Sequence, residues 1–130
     1  MIIDHIGIIV DDIDETLTRL KALFDLEVDE VKDMPEVGLR VAHIRAKNVQ
    51  MELLQYSSDE PGFAQEVMGR ESGINHISIR VDDIQAAVER MKRAGAKLKE
   101  GFPRRGSRGV IAFFEPESTG GILFEICEHG

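Results

Sequence analysis

Residues 3–13 read Ile-Asp-His-Ile-Gly-Ile-Ile-Val-Asp-Asp-Ile, and residues 74–84 read Ile-Asn-His-Ile-Ser-Ile-Arg-Val-Asp-Asp-Ile. The offset is 71 throughout, without a gap. A second echo follows: Gln50-Met51-Glu52-Leu53-Leu54 recurs as Leu123-Phe124-Glu125-Ile126-Cys127, at an offset of 73. Each half therefore carries one histidine near its start, His5 or His76, and one glutamate near its end, Glu52 or Glu125. A chain built this way is constrained to a duplicated fold, in which equivalent residues of the two halves are related by a pseudo-twofold axis.

The periodicity within each copy fixes the elements. Residues 2–10 alternate as a strand, with Ile6, Ile8 and Val10 on one face and His5, Gly7 and Ile9 on the other. Asp12 is placed as a helix N-cap with Glu15 as its capping-box partner. Ile13, Leu17, Leu20 and Phe24 then form one apolar helical stripe. Strands are expected near 26–32, 38–46 and 49–55, the first two separated by Pro35-Glu36-Val37-Gly38. The second half repeats the order. A strand is expected over 73–81, then a helix capped by Asp83, carrying Ile84, Val88 and Met91 and ending at Gly95. Strands near 96–99, 109–114 and 121–128 complete it.

The expected fold is α+β: two tandem β-α-β-β-β modules forming a curved, barrel-like, eight-stranded mixed sheet around a cleft. The modules are 1–56 and 71–130, joined by a linker, 57–70, with a short helix at 63–68. One module alone cannot bury its sheet face, so the 130 residues read as a single domain.

Strand parity turns four side chains the same way. The isoleucines of each first strand face the apolar helix, which sends His5 and His76 to the other face. In each last strand the residues flanking Glu52 and Glu125 are apolar and take the helix side. Two imidazoles and two carboxylates make a mixed nitrogen and oxygen donor set suited to cobalt, nickel, manganese, zinc or iron as divalent ions. Such a set leaves open coordination positions for catalysis. A solitary buried histidine on an alternating strand is usually only hydrogen-bonded, but here the pattern holds at matching places in both repeats. His43 has no histidine in the corresponding part of the second half and His129 is next to the C-terminal residue, so both are left out of the set.

The net charge of −8 argues against broad nucleic-acid binding, which needs a basic face. Cys127 is the one cysteine, which fits a reducing cytoplasm. No run approaches the length needed to span a bilayer, and no secretory leader is visible. The expected location is cytoplasmic, with no nucleic-acid or membrane partner.

The chain resembles the vicinal oxygen chelate (glyoxalase/bleomycin-resistance/dioxygenase) superfamily, and within it methylmalonyl-CoA epimerases. The residues that carry the resemblance are Ile3-Asp4-His5-Ile6-Gly7-Ile8, Met34 to Ala42 around Pro35-Glu36-Val37-Gly38, Met51-Glu52-Leu53-Leu54, and Ser118-Thr119-Gly120-Gly121 through Glu125. The resemblance places the metal ligands at His5, Glu52, His76 and Glu125. It implies Glu36 and Glu125 as the residues that carry protons. It also implies an acyl-CoA substrate, with the basic cluster Arg104, Arg105 and Arg108 available to the coenzyme A phosphates, and a homodimer.

The implied reaction is metal-dependent epimerisation of methylmalonyl-CoA, or a related acyl-CoA, by 1,1-proton transfer through a metal-stabilised enediolate. The alternative is a glyoxalase I-type lactoylglutathione lyase, which uses the same ligand set but delivers the proton to the neighbouring carbon. A metal-free binding or resistance protein fits less well, because this chain keeps all four ligands and has only 5% aromatic residues. A ring-cleaving dioxygenase uses two histidines and one glutamate, and Glu52 is then unexplained.

Overall fold

The computed structural model describes residues 1–58 and 60–130; Asp59, in the expected linker, lies outside the described residues. The elements are β1 (Ile2–Ile9), α1 (Ile13–Leu23), β2 (Glu27–Met34), β3 (Leu39–Arg45), β4 (Gln50–Tyr56), α2 (Phe63–Met68), β5 (Gly73–Arg80), α3 (Ile84–Arg93), β6 (Arg104–Arg105), β7 (Gly109–Phe113) and β8 (Phe124–His129). The fold is α+β with mixed pairing, and the β-α-β-β-β order occurs twice, as the repeats require. No helix among the described residues is long and apolar enough to cross a membrane.

The chain divides into two compact units, His5–Asn75 and a second that joins Met1–Asp4 to His76–Gly130. In the first the strand order is β2-β3-β4-β1, and in the second β5-β8-β7-β6. The first strand of each repeat lies parallel to its last, β1 to β4 and β5 to β8, and the other neighbours are antiparallel.

Each repeat builds its helix start in the same way. Asp12 accepts from the Glu15 amide and Asp83 from the Ala86 amide, both at 3.1 Å. The next orphan amide is met from the last strand: Gln55 Oε1 accepts from Ile13 N, and Glu128 Oε1 from Ile84 N, both at 2.8 Å. Gln55 and Glu128 are thus a third echo, one that a chemically unlike pair conceals in the sequence. The helices end differently. Gly95, at φ 104°, closes α3 with Gly95 N donating to Lys92 O and Ala96 N to Met91 O, a Schellman arrangement. Phe24 closes α1 in extended backbone, at φ −134°.

The helix of each repeat covers one sheet face. Ile13 and Leu17 pack on Ala42, Ile44 and Leu53; Ile84, Ala87 and Val88 pack on Ala112, Phe114 and Ile126. In the first repeat the opposite face is also filled, by Ile9, Met34, Leu39, Val41, Leu54 and Ala64 of α2.

One element departs from expectation. The sixth strand, expected at 96–99, is Arg104–Arg105 instead, paired with β7. Residues 96–99 make a single bridge, Leu98 with Phe114. Leu98 is packed in the α3 core, so the apolar character there reports burial under a helix rather than membership of a ladder.

Candidate metal centre and its surroundings

In the first repeat, parity brings His5 and Glu52 together. His5 Nδ1 lies 3.2 Å from Glu52 Oε2. Both are buried, at 5% and 9% exposure. His43 joins them. It sits directly opposite Glu52 in the β3–β4 register, its Nδ1 is 3.6 Å from the same Oε2, and it is 3% exposed. Its omission above rested on the lack of a histidine counterpart. Its alternation with Leu39 and Val41, on the face opposite Ala42 and Ile44, was the signal that places it beside Glu52.

In the second repeat His76 and Glu125 stand equivalently. They present ligand atoms within 4.8 Å of each other and are buried. The residue directly opposite Glu125 is Phe113, where the first repeat has His43. Its ring meets His76 edge-on, with centroids 5.0 Å apart and planes at 81°.

Further along the same strands the second repeat is polar. Asp4 Oδ1 accepts from Arg80 Nε at 3.0 Å and Nη2 at 2.8 Å, and His129 Nε2 lies 2.8 Å from it. His129 is therefore a carboxylate partner within this array. Burial pushes the nearby Cys127 thiol up to about 12, offset by a hydrogen bond to Ser78 and reinforced by the charges of Asp4 and Glu125. At neutral pH that thiol stays protonated and unreactive. In the first repeat, burial likewise pushes the Tyr56 phenol up to about 12, and its hydroxyl donates to the Gly69 carbonyl.

Glu36 lies in a short 3-10 turn, Pro35–Val37, and is exposed. Gly38, at φ 74°, ends that turn in the left-handed region that favours glycine. It also packs on Gly62, where a Cβ would come within 2.9 Å of the Val37 carbonyl oxygen. Two glycines thus let the Glu36 turn approach the start of α2. The three arginines are not equivalent. Arg104 is half-buried opposite Ile111, which is itself opposite Cys127, so it shares the face of Glu125. Arg105, next along β6, takes the other face, and it and Arg108 are exposed.

The buried imidazole and carboxylate of each repeat are a donor set that a divalent ion fits chemically: borderline nitrogen ligands with charge-neutralising oxygens. Burying either carboxylate is costly unless it is paired or coordinates a cation.

Residues 4–114 match the Glyoxalase/Bleomycin resistance protein/Dioxygenase superfamily. The chain is 33% identical to an ethylmalonyl-CoA/methylmalonyl-CoA epimerase of Cereibacter sphaeroides over 95% of both chains. It is 30% identical to a mitochondrial methylmalonyl-CoA epimerase of Mus musculus, over 95% of this chain and 71% of that one. Among solved structures, a Streptomyces coelicolor methylmalonyl-CoA epimerase in complex with 2-nitronate-propionyl-CoA superposes with a TM-score of 0.88 at 26% identity. That match covers 100% of this chain and 98% of the other.

Proposed function

Since the chain belongs to the glyoxalase/bleomycin-resistance/dioxygenase superfamily, alongside its methylmalonyl-CoA epimerases, we propose that it is an isomerase that epimerises methylmalonyl-CoA or a closely related acyl-CoA. The observation that carries the reading is the recurrence of one buried His–Glu pair in each repeat. We assign His5, Glu52, His76 and Glu125 as ligands of a single divalent ion, and the two modules as one functional domain.

When bound, such an ion supplies positive charge where the carbonyl oxygens gather negative charge as the α-proton leaves. The protein's own residues do the rest. Glu125 and Glu36 are assigned as the two proton carriers, one for each face of the α-carbon, so that removal on one side and return on the other invert the centre. A glutamate on an exposed turn can exchange its proton with water between turnovers, which suits Glu36. Of the basic cluster, Arg104 is the best placed for a coenzyme A phosphate, since it shares the face of Glu125; Arg105 and Arg108 are assigned to the rim. The reading extends to a cytoplasmic homodimer.

The test is exchange of the α-proton of methylmalonyl-CoA with deuterium oxide, with glutathione hemithioacetal assayed in parallel. Rapid exchange and loss of stereochemical purity are expected. No exchange, together with brisk lactoylglutathione formation, would assign the chain to the lyase reaction instead.

A further inference from the structure

We propose that His43 is a positioning residue that holds the Glu52 carboxylate. The inference rests on the metal reading above. Glu52 Oε2 has two imidazole nitrogens beside it, His5 Nδ1 at 3.2 Å and His43 Nδ1 at 3.6 Å. The longer contact is electrostatic as it stands, and a shift of a few tenths of an ångström converts it to a charge-assisted hydrogen bond. The register puts His43 directly across the ladder from Glu52, so no long side chain has to be ordered to make the contact.

The second repeat supplies the internal control. Its residue across from Glu125 is Phe113, whose ring packs on His76 and has no donor for a carboxylate. An aromatic ring is therefore acceptable at this place in the fold. A histidine that is 3% exposed needs a polar reason to be there, and the carboxylate opposite is that reason. Of the other residues of β3 on this face, Leu39 and Val41 are core and Arg45, at the strand end, is exposed. His43 is not needed to complete the duplicated set of two histidines and two glutamates. Its role is that of the outer partner that orients a ligating carboxylate, of the kind whose loss typically weakens metal binding by about 10–100-fold.

The experiment is calorimetric titration of the metal-stripped full chain with cobalt(II) chloride, for the parent, His43→Phe and His43→Asn. His43→Phe installs the residue that the second repeat tolerates, and His43→Asn keeps an amide donor near the place of Nδ1. We expect His43→Phe to bind cobalt about 10–100-fold more weakly with an undiminished unfolding midpoint, and His43→Asn to bind close to the parent. Parent-like affinity in His43→Phe, or equal losses in both variants, would overturn the proposal. A second readout needs no metal: a double-mutant cycle of His43→Phe with Glu52→Gln, followed by urea unfolding of the stripped chains. A non-zero coupling supports the His43–Glu52 contact, and strict additivity overturns it. Failure of the parent to take up cobalt while the coupling persists would sink the metal reading and leave the contact standing.

Discussion

The first repeat continues beyond Glu52 with Leu54 and beyond His5 with Ile9, both sealed in a core with Met34, Leu39, Val41 and Ala64 of α2. The second continues beyond Glu125 with Cys127 and His129 and beyond His76 with Ser78 and Arg80. There Asp4 gathers Arg80 and His129, whose side chains remain 44% and 45% exposed. One frame, used twice, thus carries a dry row in one copy and an ion-paired, half-solvated row in the other. Duplication preserved the buried His–Glu pair and released the residues one step away. The row nearest the pairs shows the same divergence in miniature, His43 in one copy and Phe113 in the other. The two glutamates therefore sit in different settings, Glu52 opposite an imidazole and Glu125 opposite a phenyl ring.

The largest expected effect tests what the repeats share. His5→Ala and His76→Ala should each abolish metal retention and deuterium exchange, since each removes a ligand from the same proposed ion. Metal analysis of the purified variants, with an exchange assay, checks this. Full exchange activity in either variant, or in parent stripped with a chelator, would refute the shared centre. Glu36→Gln comes next. It should leave metal content unchanged and lower turnover by about 10²-fold, the usual scale for a removed general acid or base. Near-normal turnover would take Glu36 out of the reaction.

Smaller effects probe where the copies differ in backbone. β7 starts at Gly109, at φ 147°, where a Cβ would lie 2.3 Å from the Glu128 carbonyl oxygen. Gly109→Ala should therefore destabilise by at least the ~1–3 kcal/mol typical of overpacking. Leu39, which starts β3, carries a side chain in the core without difficulty. Urea midpoints of Gly109→Ala and parent give the comparison, and an unshifted midpoint would show that the approach relaxes freely. Gln55→Ala and Glu128→Ala should each cost about 1 kcal/mol by stranding the first helix amide. Equal losses would confirm that the third echo is a working one, and a loss in only one repeat would confine the device to that copy.

Alkaline stability gives the smallest signal. Cys127 is raised from 9.0 and Tyr56 from 10.0, each to about 12. Both groups are neutral when protonated, and folding favours that form. The unfolded chain therefore loses these protons at lower pH than the folded one. The stability they confer is complete only well below pH 9.0, the pH at which the unfolded thiol is half-ionised, and it is lost as pH rises toward 12. Unfolding midpoints taken across that window should fall. The Cys127→Ser and Tyr56→Phe variants should each flatten part of the decline, with no flattening in either sinking the assignment.

The repeat, the parity of four strands and the two aspartate caps were legible from the chain alone, because each rests on local periodicity: two residues per strand repeat and a side chain reaching three residues on. Those rules named His5, Glu52, His76 and Glu125, and the structure buries all four. His43 obeys the same parity and lies beside Glu52, but a comparison of the two copies hides it, because its counterpart in the second is Phe113. Other features could not be read in the sequence at all. The pairing of Arg104–Arg105 in place of 96–99 depends on which apolar residue α3 covers. The amides of Ile13 and Ile84 are met by side chains 42 and 44 positions away. The partners of Asp4, 76 positions off at Arg80, depend on which strands pair in register. Local sequence sets where each side chain points, because backbone sterics act between neighbours. Only the tertiary structure decides what it meets, because that depends on residues distant in the chain.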